Sequence, residues 1–247
     1  DAARRRCASD RPGILASAIG MDKDIQQKIL RAEGLGVPRS TVVEQRHWQQ
    51  DPDAVRQRLV GEFGLPLVTK PVREGSSIGV TVVRAPGDLD AAMAAALQWD
   101  RTVLVEEFLE GTEFSCIVLE DEGEPRPLSL TEIHPQSEFF TYDDKYMPGR
   151  CRKFTPPKTI PKDVAETIKV DVVRAYKALG FRCYGRIDGF VLKDGRVLIT
   201  DPNSSSGMAP SSFFFEQAAE QGMLPGMIVS TLIEIGMRIH GEKKGPL

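Results

Sequence analysis

Two strand-like runs, 182–192 and 196–201, are separated only by Lys193-Asp194-Gly195, and this spacing constrains the architecture more than any other feature. Asp-Gly is a tight-turn signal, because its residues accept the left-handed backbone that closes a two-stranded hairpin. The two runs therefore pair antiparallel. An acidic turn at Asp121-Glu122-Gly123-Glu124 makes a second hairpin of strands 113–119 and 127–133. Further strands are predicted at 40–43, 67–70, 80–83 and 102–107. Between them lie helical stretches. Residues 22–34 read as an amphipathic helix with Asp22 as its cap and Ile25, Ile29 and Leu30 on one face. Asp51-Pro52 opens another, with Val55, Leu59 and Phe63, since proline suits the first helical position. Helices are also predicted from Asp88 to about 97 and over 161–179, 212–221 and 225–240. Helices interleaved with antiparallel strands point to α+β lobes, not to a doubly wound parallel sheet.

Bulk properties narrow the function. A formal charge of −3 over 247 residues provides no broad basic field for nucleic acid. No apolar run approaches the length of a membrane span. The start, Asp1 to Cys7, is basic but has no apolar stretch behind it, so it does not read as a signal peptide. It does not begin with Met, which suggests a fragment or a processed form. The cysteines, at 7, 116, 151 and 183, form no Cys-x-x-Cys pair, and reduced thiols in the cytoplasm are the default expectation.

Four features carry chemistry. Lys70 ends a strand and leads through Pro71 to Gly75-Ser76-Ser77-Ile78-Gly79, where backbone N–H groups and hydroxyls could cradle phosphate oxygens while the ammonium offsets their charge. No Walker loop and no Gly-x-Gly-x-x-Gly fingerprint occurs, and a Gly/Ser turn taken alone is more often structural than phosphate-binding. Arg186 and Asp188 share one strand face, and the 193–195 turn can bring Asp201 and Asn203 beside them. Two carboxylates and an amide oxygen are hard ligands that suit Mg²⁺. Val105 to Leu109, with Glu113, mixes acceptors and apolar groups at a strand-to-loop junction, a weak adenine-site pattern. The stretch 134–157, containing Tyr142-Asp143-Asp144-Lys145-Tyr146, reads as a long loop, either a lid over a site or a self-packed surface loop. The histidines, His47, His134 and His240, lack the spacing of a triad or a metal site.

Taken in order, Met21-Asp22-Lys23, Lys70-Pro71 through Gly79, Asp144-Lys145-Tyr146, Tyr184 through Asp188 and Asp201-Pro202-Asn203 through Met208 resemble the ATP-grasp superfamily, and within it the D-alanine–D-alanine ligases. The resemblance runs from about residue 16 to about 235. It implies an α+β (ATP-grasp) fold of two lobes with mostly antiparallel sheets and ATP between them: a small lobe over 21–107 and a large lobe over 108–240. Residues 1–20 would be the remnant of an N-terminal subdomain and 241–247 a tail. It implies that Lys23, Lys70, Ser77 and Lys145 meet the phosphates, that Glu106, Phe108 and Leu109 line the adenine site, and that Glu113 binds ribose. Asp188, Asp201 and Asn203 would hold one or two Mg²⁺ ions, with Mn²⁺ as an alternative. Arg186 and the Gly207 N–H would stabilise the oxyanion, Tyr146 and Ser76 would close over the acceptor, and Ser211 or Ser212 would take the acceptor carboxylate.

The implied reaction joins two D-alanines through an acyl phosphate for peptidoglycan precursor synthesis. The partners are small molecules, D-alanine and ATP, with neither nucleic acid nor membrane, and a homodimer is an open alternative. Family members usually carry Glu-x-Asn where this chain has Asp201-Pro202-Asn203, and Phe213 stands where a leucine is expected. The rival readings are an ATP-grasp ligase with another substrate pair, such as D-alanine–D-lactate, and an ATP-binding module with impaired catalysis.

Overall fold

The computed structural model describes residues 13–135 and 151–242. Lys145 and Tyr146 lie outside the described residues, as do most of the 134–157 loop and the first and last few positions. The chain begins with helices α1 (Ile14–Met21) and α2 (Lys23–Ala32), then strand β1 (Ser40–Glu44) and helices α3 (Gln45–Gln50) and α4 (Pro52–Phe63). Strands β2 (Leu67–Pro71) and β3 (Thr81–Val83), helix α5 (Leu89–Leu97) and strand β4 (Thr102–Glu107) follow. Next come β5 (Gly111–Asp121), β6 (Glu124–Pro135), β7 (Cys151–Phe154), α6 (Lys162–Ala178), β8 (Tyr184–Leu192), β9 (Val197–Asn203), α7 (Phe213–Ala219) and α8 (Pro225–Glu242).

The predicted caps hold. Asp22 accepts a hydrogen bond from the Ile25 N–H at 3.0 Å, and Asp51 accepts one from Ala54 at 3.0 Å with Pro52 in the first turn. Each satisfies an N–H that the helix itself leaves unpaired. α1, α3 and β7 carry no comparable signal; β7 lies inside the stretch read from sequence as a loop. The apolar face expected on α2 is also only partly right. Leu30 is fully buried, but Ile25 is 44% exposed and the buried neighbours are Gln26 and Gln27.

The strands form two antiparallel sheets, a four-stranded one in the order β1-β4-β2-β3 and a five-stranded one in the order β7-β6-β5-β8-β9. The smaller sheet packs Val43, Leu67 and Val103 against Leu59 of α4 and Met93 of α5. In the larger sheet, alternation along β5 and β8 sends Phe114, Cys116, Ile187 and Val191 to one face, against Ile168 and Val172 of α6. Each large apolar side chain buried there contributes roughly 1.5–3 kcal/mol. Ala16, Leu30 and Leu35 join that same core, so α1 and α2 pack on the larger sheet although they precede the smaller one in sequence. On the opposite face, Ile117, Leu119 and Tyr184 meet α7 and α8 through Phe214, Ile228 and Leu232. The rest of that face carries Glu113, Arg186, Asp188, Phe190, Asp201 and Asn203. Among the described residues no helix is long and apolar enough to cross a membrane.

Candidate active site

A cleft of about 520 Å³ lies between the two sheets. It gathers Lys23, Lys70, Ser76, Ser77, Glu106 and Phe108 from the first part of the chain. Leu109, Glu113, Phe190, Thr200 and Asp201 complete the opposite wall.

Lys70 and Glu106 stand on neighbouring strands, and the Lys70 ammonium lies 2.6 Å from the Glu106 carboxylate with both side chains almost fully buried. A buried charge needs a partner of this kind, because leaving it unpaired costs several kcal/mol. Glu106 also accepts a hydrogen bond from Gln27, whose own oxygen is held by Ser40. Glu106 thus enters the site as a fixed acceptor rather than as a mobile surface acid.

The glycine–serine loop is built as a tight turn. Ser76 and Ser77 both have positive φ, at 52° and 60°, and the Ile78 N–H closes on the Gly75 carbonyl at 3.0 Å. Two successive left-handed residues make a type I′ turn, a conformation that costs non-glycine residues about 1–2 kcal/mol each. Gly79 has φ 68°, and a Cβ there would lie 2.8 Å from Pro71 and 3.1 Å from Trp99, so only glycine lets the loop return. The Lys23 ammonium donates to the Glu74 carbonyl and so ties the loop's entry to α2.

The three predicted metal ligands form a cross-strand quartet with Arg186. Arg186 stands opposite Asn203, and Asp188 opposite Asp201. Opposed residues of an antiparallel pair share a face, and so do residues two apart, so all four project together. Beyond Asp201 the register shifts, leaving Thr200 as an extra residue on β9. That bulge brings consecutive residues, Thr200 and Asp201, onto the same cleft, which a regular strand does not do. Asp188 is held from three sides: by Arg186 at 2.9 Å, by the Ser115 hydroxyl at 2.7 Å and by the Asn203 amide at 3.3 Å. The donor set of two carboxylates and one amide is all oxygen and few in number, which fits a Mg²⁺ that keeps water and phosphate oxygens as its remaining ligands. Among the described residues no group of three or more His, Cys, Asp or Glu side chains is placed to hold a metal.

Gly207, Ser211 and Ser212 are not part of the cleft wall. Gly207 and Ser211 are exposed on the segment between β9 and α7. Ser212 is half-buried at the head of α7, where its hydroxyl is enclosed with no hydrogen-bond partner among the described residues. The Phe213 ring lies under two cations, Lys153 at 4.5 Å and Arg186 at 5.9 Å, so it steadies the arginine of the quartet.

Sequence reasoning missed supporting residues, Ser115 and Gln217 among them. Ser115 lies two positions beyond Glu113 and opposite Asp188; strand alternation puts it on the Glu113 face, but its partner Asp188 shows only in the folded sheet. Gln217 of α7 is fully buried where the β5–β6 ladder shifts register. It accepts from the Ile117 N–H at 2.7 Å and donates to the Ser115 carbonyl at 2.9 Å, replacing lost backbone partners. No local pattern announces it.

A family model described as the D-Ala–D-Ala ligase C-terminus matches residues 29–234. A curated D-alanine–D-alanine ligase of Kocuria rhizophila is 36% identical over 229 residues, covering 91% of this chain and 59% of the relative. One from Geobacillus kaustophilus is 33% identical over 232 residues, covering 94% and 63%. The chain therefore spans about three fifths of the length of these relatives. Among solved structures, the VanG D-Ala:D-Ser ligase from Enterococcus faecalis superposes with a TM-score of 0.78 at 30% identity, over 91% of this chain and 64% of that one. The D-alanine–D-alanine ligase from Coxiella burnetii gives a TM-score of 0.80 at 24% identity over 94% and 61%, a likeness of fold.

Proposed function

Because the chain belongs to the D-alanine–D-alanine ligase family, with its two-lobed α+β fold, we propose that it carries the ATP-binding and catalytic machinery of an ATP-dependent ligase that joins two D-alanines. The observation that carries this reading is the quartet Arg186, Asp188, Asp201 and Asn203, beside the cleft into which Lys70, Glu106 and the 75–78 turn also face. The lobes divide near 107/108 in this reading, with α2 reaching across from the smaller to the larger. The product would feed peptidoglycan precursor synthesis in the cytoplasm, where ATP and free D-alanine are both at hand.

Lys23, Lys70 and the N–H groups of the 75–78 turn would hold the triphosphate, with Ser77 as a further donor. Glu106, Phe108 and Leu109 would receive the adenine and Glu113 the ribose. Asp188, Asp201 and Asn203 would hold Mg²⁺, which would supply positive charge against the phosphates. The γ-phosphoryl group passes to the carboxylate of one D-alanine, giving ADP and D-alanyl phosphate. The free amine of the second attacks the acyl carbon, loses a proton and expels phosphate, leaving the dipeptide. Arg186 would stabilise the negative charge that develops on the acyl oxygen, as a fixed cation can without reorganisation. Gly207, Ser76, Ser211 and Ser212 would complete the acceptor side. No nucleophile–base pair is required; the residues position substrates and stabilise charge.

The test is phosphate release by the chain with ATP and Mg²⁺, with and without D-alanine, and the product identified by mass. Release that depends on D-alanine, with a D-alanyl-D-alanine mass, is the expected result. The D-Ala:D-Ser ligase among the solved relatives makes D-serine the informative alternative acceptor, with D-lactate beside it. Tight ATP binding without D-alanine-dependent turnover would replace the ligase with a nucleotide-binding module. A mass measurement in solution decides whether the chain works as a homodimer.

A further inference from the structure

The buried face of α2 is polar where an amphipathic helix is normally apolar, and its three polar residues reach three different parts of the site. Lys23 donates to the Glu74 carbonyl at the phosphate loop, and Gln27 to the Glu106 carboxylate of the smaller sheet. Gln26, 1% exposed, reaches the larger sheet: its amide nitrogen donates to the Gly20 carbonyl at 2.8 Å and to the Pro202 carbonyl at 3.0 Å. Positions 23, 26, 27 and 30 lie on one helical face, which Leu30 anchors in the core.

The Pro202 carbonyl sits between Asp201 and Asn203. β9 is an edge strand, so carbonyls on its outer side have no strand to pair with, and proline is tolerated there because no ladder N–H is lost. Gln26 supplies the missing donor. The corner between α1 and α2 is pressed onto the same end of β9: a Cβ on Gly20 would lie 2.8 Å from the Ser204 hydroxyl. The preceding peptide, Asp201–Pro202, is tied as well, since the Asn203 side-chain amide donates to the Asp201 carbonyl at 2.6 Å. Two successive peptide planes, each tied through its carbonyl, set the direction of the Cα–Cβ bonds of Asp201 and Asn203 that flank them.

We infer that Gln26 is a positioning residue for the divalent-cation site: through the Pro202 carbonyl it fixes the backbone between Asp201 and Asn203, and so the direction in which their side-chain oxygens converge. This rests on the ligase reading of that site. Its consequence is that the same rigid helix carries Lys23 toward the phosphate loop and sets the metal ligands, so that the distance between them is determined by α2 rather than by the loops. Supporting groups of this kind typically contribute 10–100-fold to metal affinity.

The test is uptake of Mn²⁺ by the full chain saturated with ADP, followed by electron paramagnetic resonance against a protein-free ADP control, with ADP affinity measured separately in EDTA. Gln26→Met keeps volume and helix propensity but removes the donor. The expected result is Mn²⁺ binding weakened about tenfold with ADP affinity in EDTA within twofold of the parent. Unchanged Mn²⁺ binding in the variant overturns the inference, and so does an equal loss of Mn²⁺ and ADP binding, which would make Gln26 a general structural tie. Failure of the unsubstituted chain to take up Mn²⁺ overturns the metal-site reading itself, a separate outcome. Should Gln26→Met not fold, Gln26→Asn retains the amide on a stem too short to span both carbonyls and is read by the same criteria.

Discussion

Asp188 is the residue on which the site's charge balance turns. Its carboxylate faces Arg186 at 2.9 Å and Ser115 at 2.7 Å, with side-chain exposures of 13% for Asp188 and 19% for Arg186. Asp188→Asn keeps the shape and one acceptor oxygen but removes the negative charge that a cation needs. The expected outcome is a loss of D-alanine-dependent phosphate release of about a hundredfold or more, with a melting temperature within a few degrees of the parent. Steady-state kinetics over a Mg²⁺ titration and a thermal melt check the two halves; near-normal turnover would remove Asp188 from the metal site. Asp188 and Asp201 were legible in the sequence because two local rules meet there: the Asp-Gly turn sets the pairing and strand alternation sets the face. Lys70, Glu106 and Glu113 were legible as candidates for the same reason, each standing at the end of a readable strand. Ser115 and Gln26 were not, because what makes them matter is the residue across the fold, Asp188 in one case and the Pro202 carbonyl in the other. The bulge at Thr200 is likewise invisible to a period-two reading, which places Thr200 on the opposite face from Asp201.

At the scale of elements, caps and turns were readable and buried polar anchors were not. The segment between β7 and α6 is held by one of these anchors. Glu132 of β6, wholly buried, accepts from the N–H groups of Lys158, Thr159 and Ile160 at 2.8, 2.7 and 3.2 Å, from the Thr159 hydroxyl at 2.6 Å and from His134. Burial pushes its carboxyl up, but the Thr159 and His134 bonds and the backbone donors outweigh burial and bring it down to about 2. A depressed carboxyl stabilises the fold above its ordinary value of 4.5 and loses that contribution as pH falls through about 2. Glu132→Gln is therefore expected to lower stability at pH 7 by roughly 3 kcal/mol, with the penalty about 2 kcal/mol smaller at pH 3, where the parent has surrendered most of its advantage. Urea unfolding of both proteins at the two pH values measures this; a penalty that does not change with pH would show that lost packing, not charge, dominates. β6 itself was readable as a strand from the 121–124 turn. The identity of its buried acid as an anchor depends on a segment more than twenty residues downstream.

For the whole molecule, the decisive feature is that the cleft's two walls come from different sheets. Lys70 and Glu106 belong to the four-stranded sheet, Glu113 and Asp201 to the five-stranded one, and α2 bonds to both. Each sheet also has its own apolar core, which in isolation favours two units that open independently. A nucleotide seated between them binds only when both are folded and apposed, so its binding energy is distributed over both at once. Linkage gives the size of the effect: at a free ligand concentration one hundred times the dissociation constant, stabilisation is about 2.7 kcal/mol. For a chain of this length that corresponds to a rise in melting temperature of about 5–11 °C. The expected outcome with saturating Mg²⁺ and a non-hydrolysable ATP analogue is one calorimetric transition displaced upward as a whole. If Asp188, Asp201 and Asn203 hold a metal with the nucleotide, as proposed, EDTA should remove part of the displacement. Two transitions of which only one moves with ligand would mean that the nucleotide is held by one sheet alone. That result would sink the reading of the cleft as a shared site, whatever the chain's family.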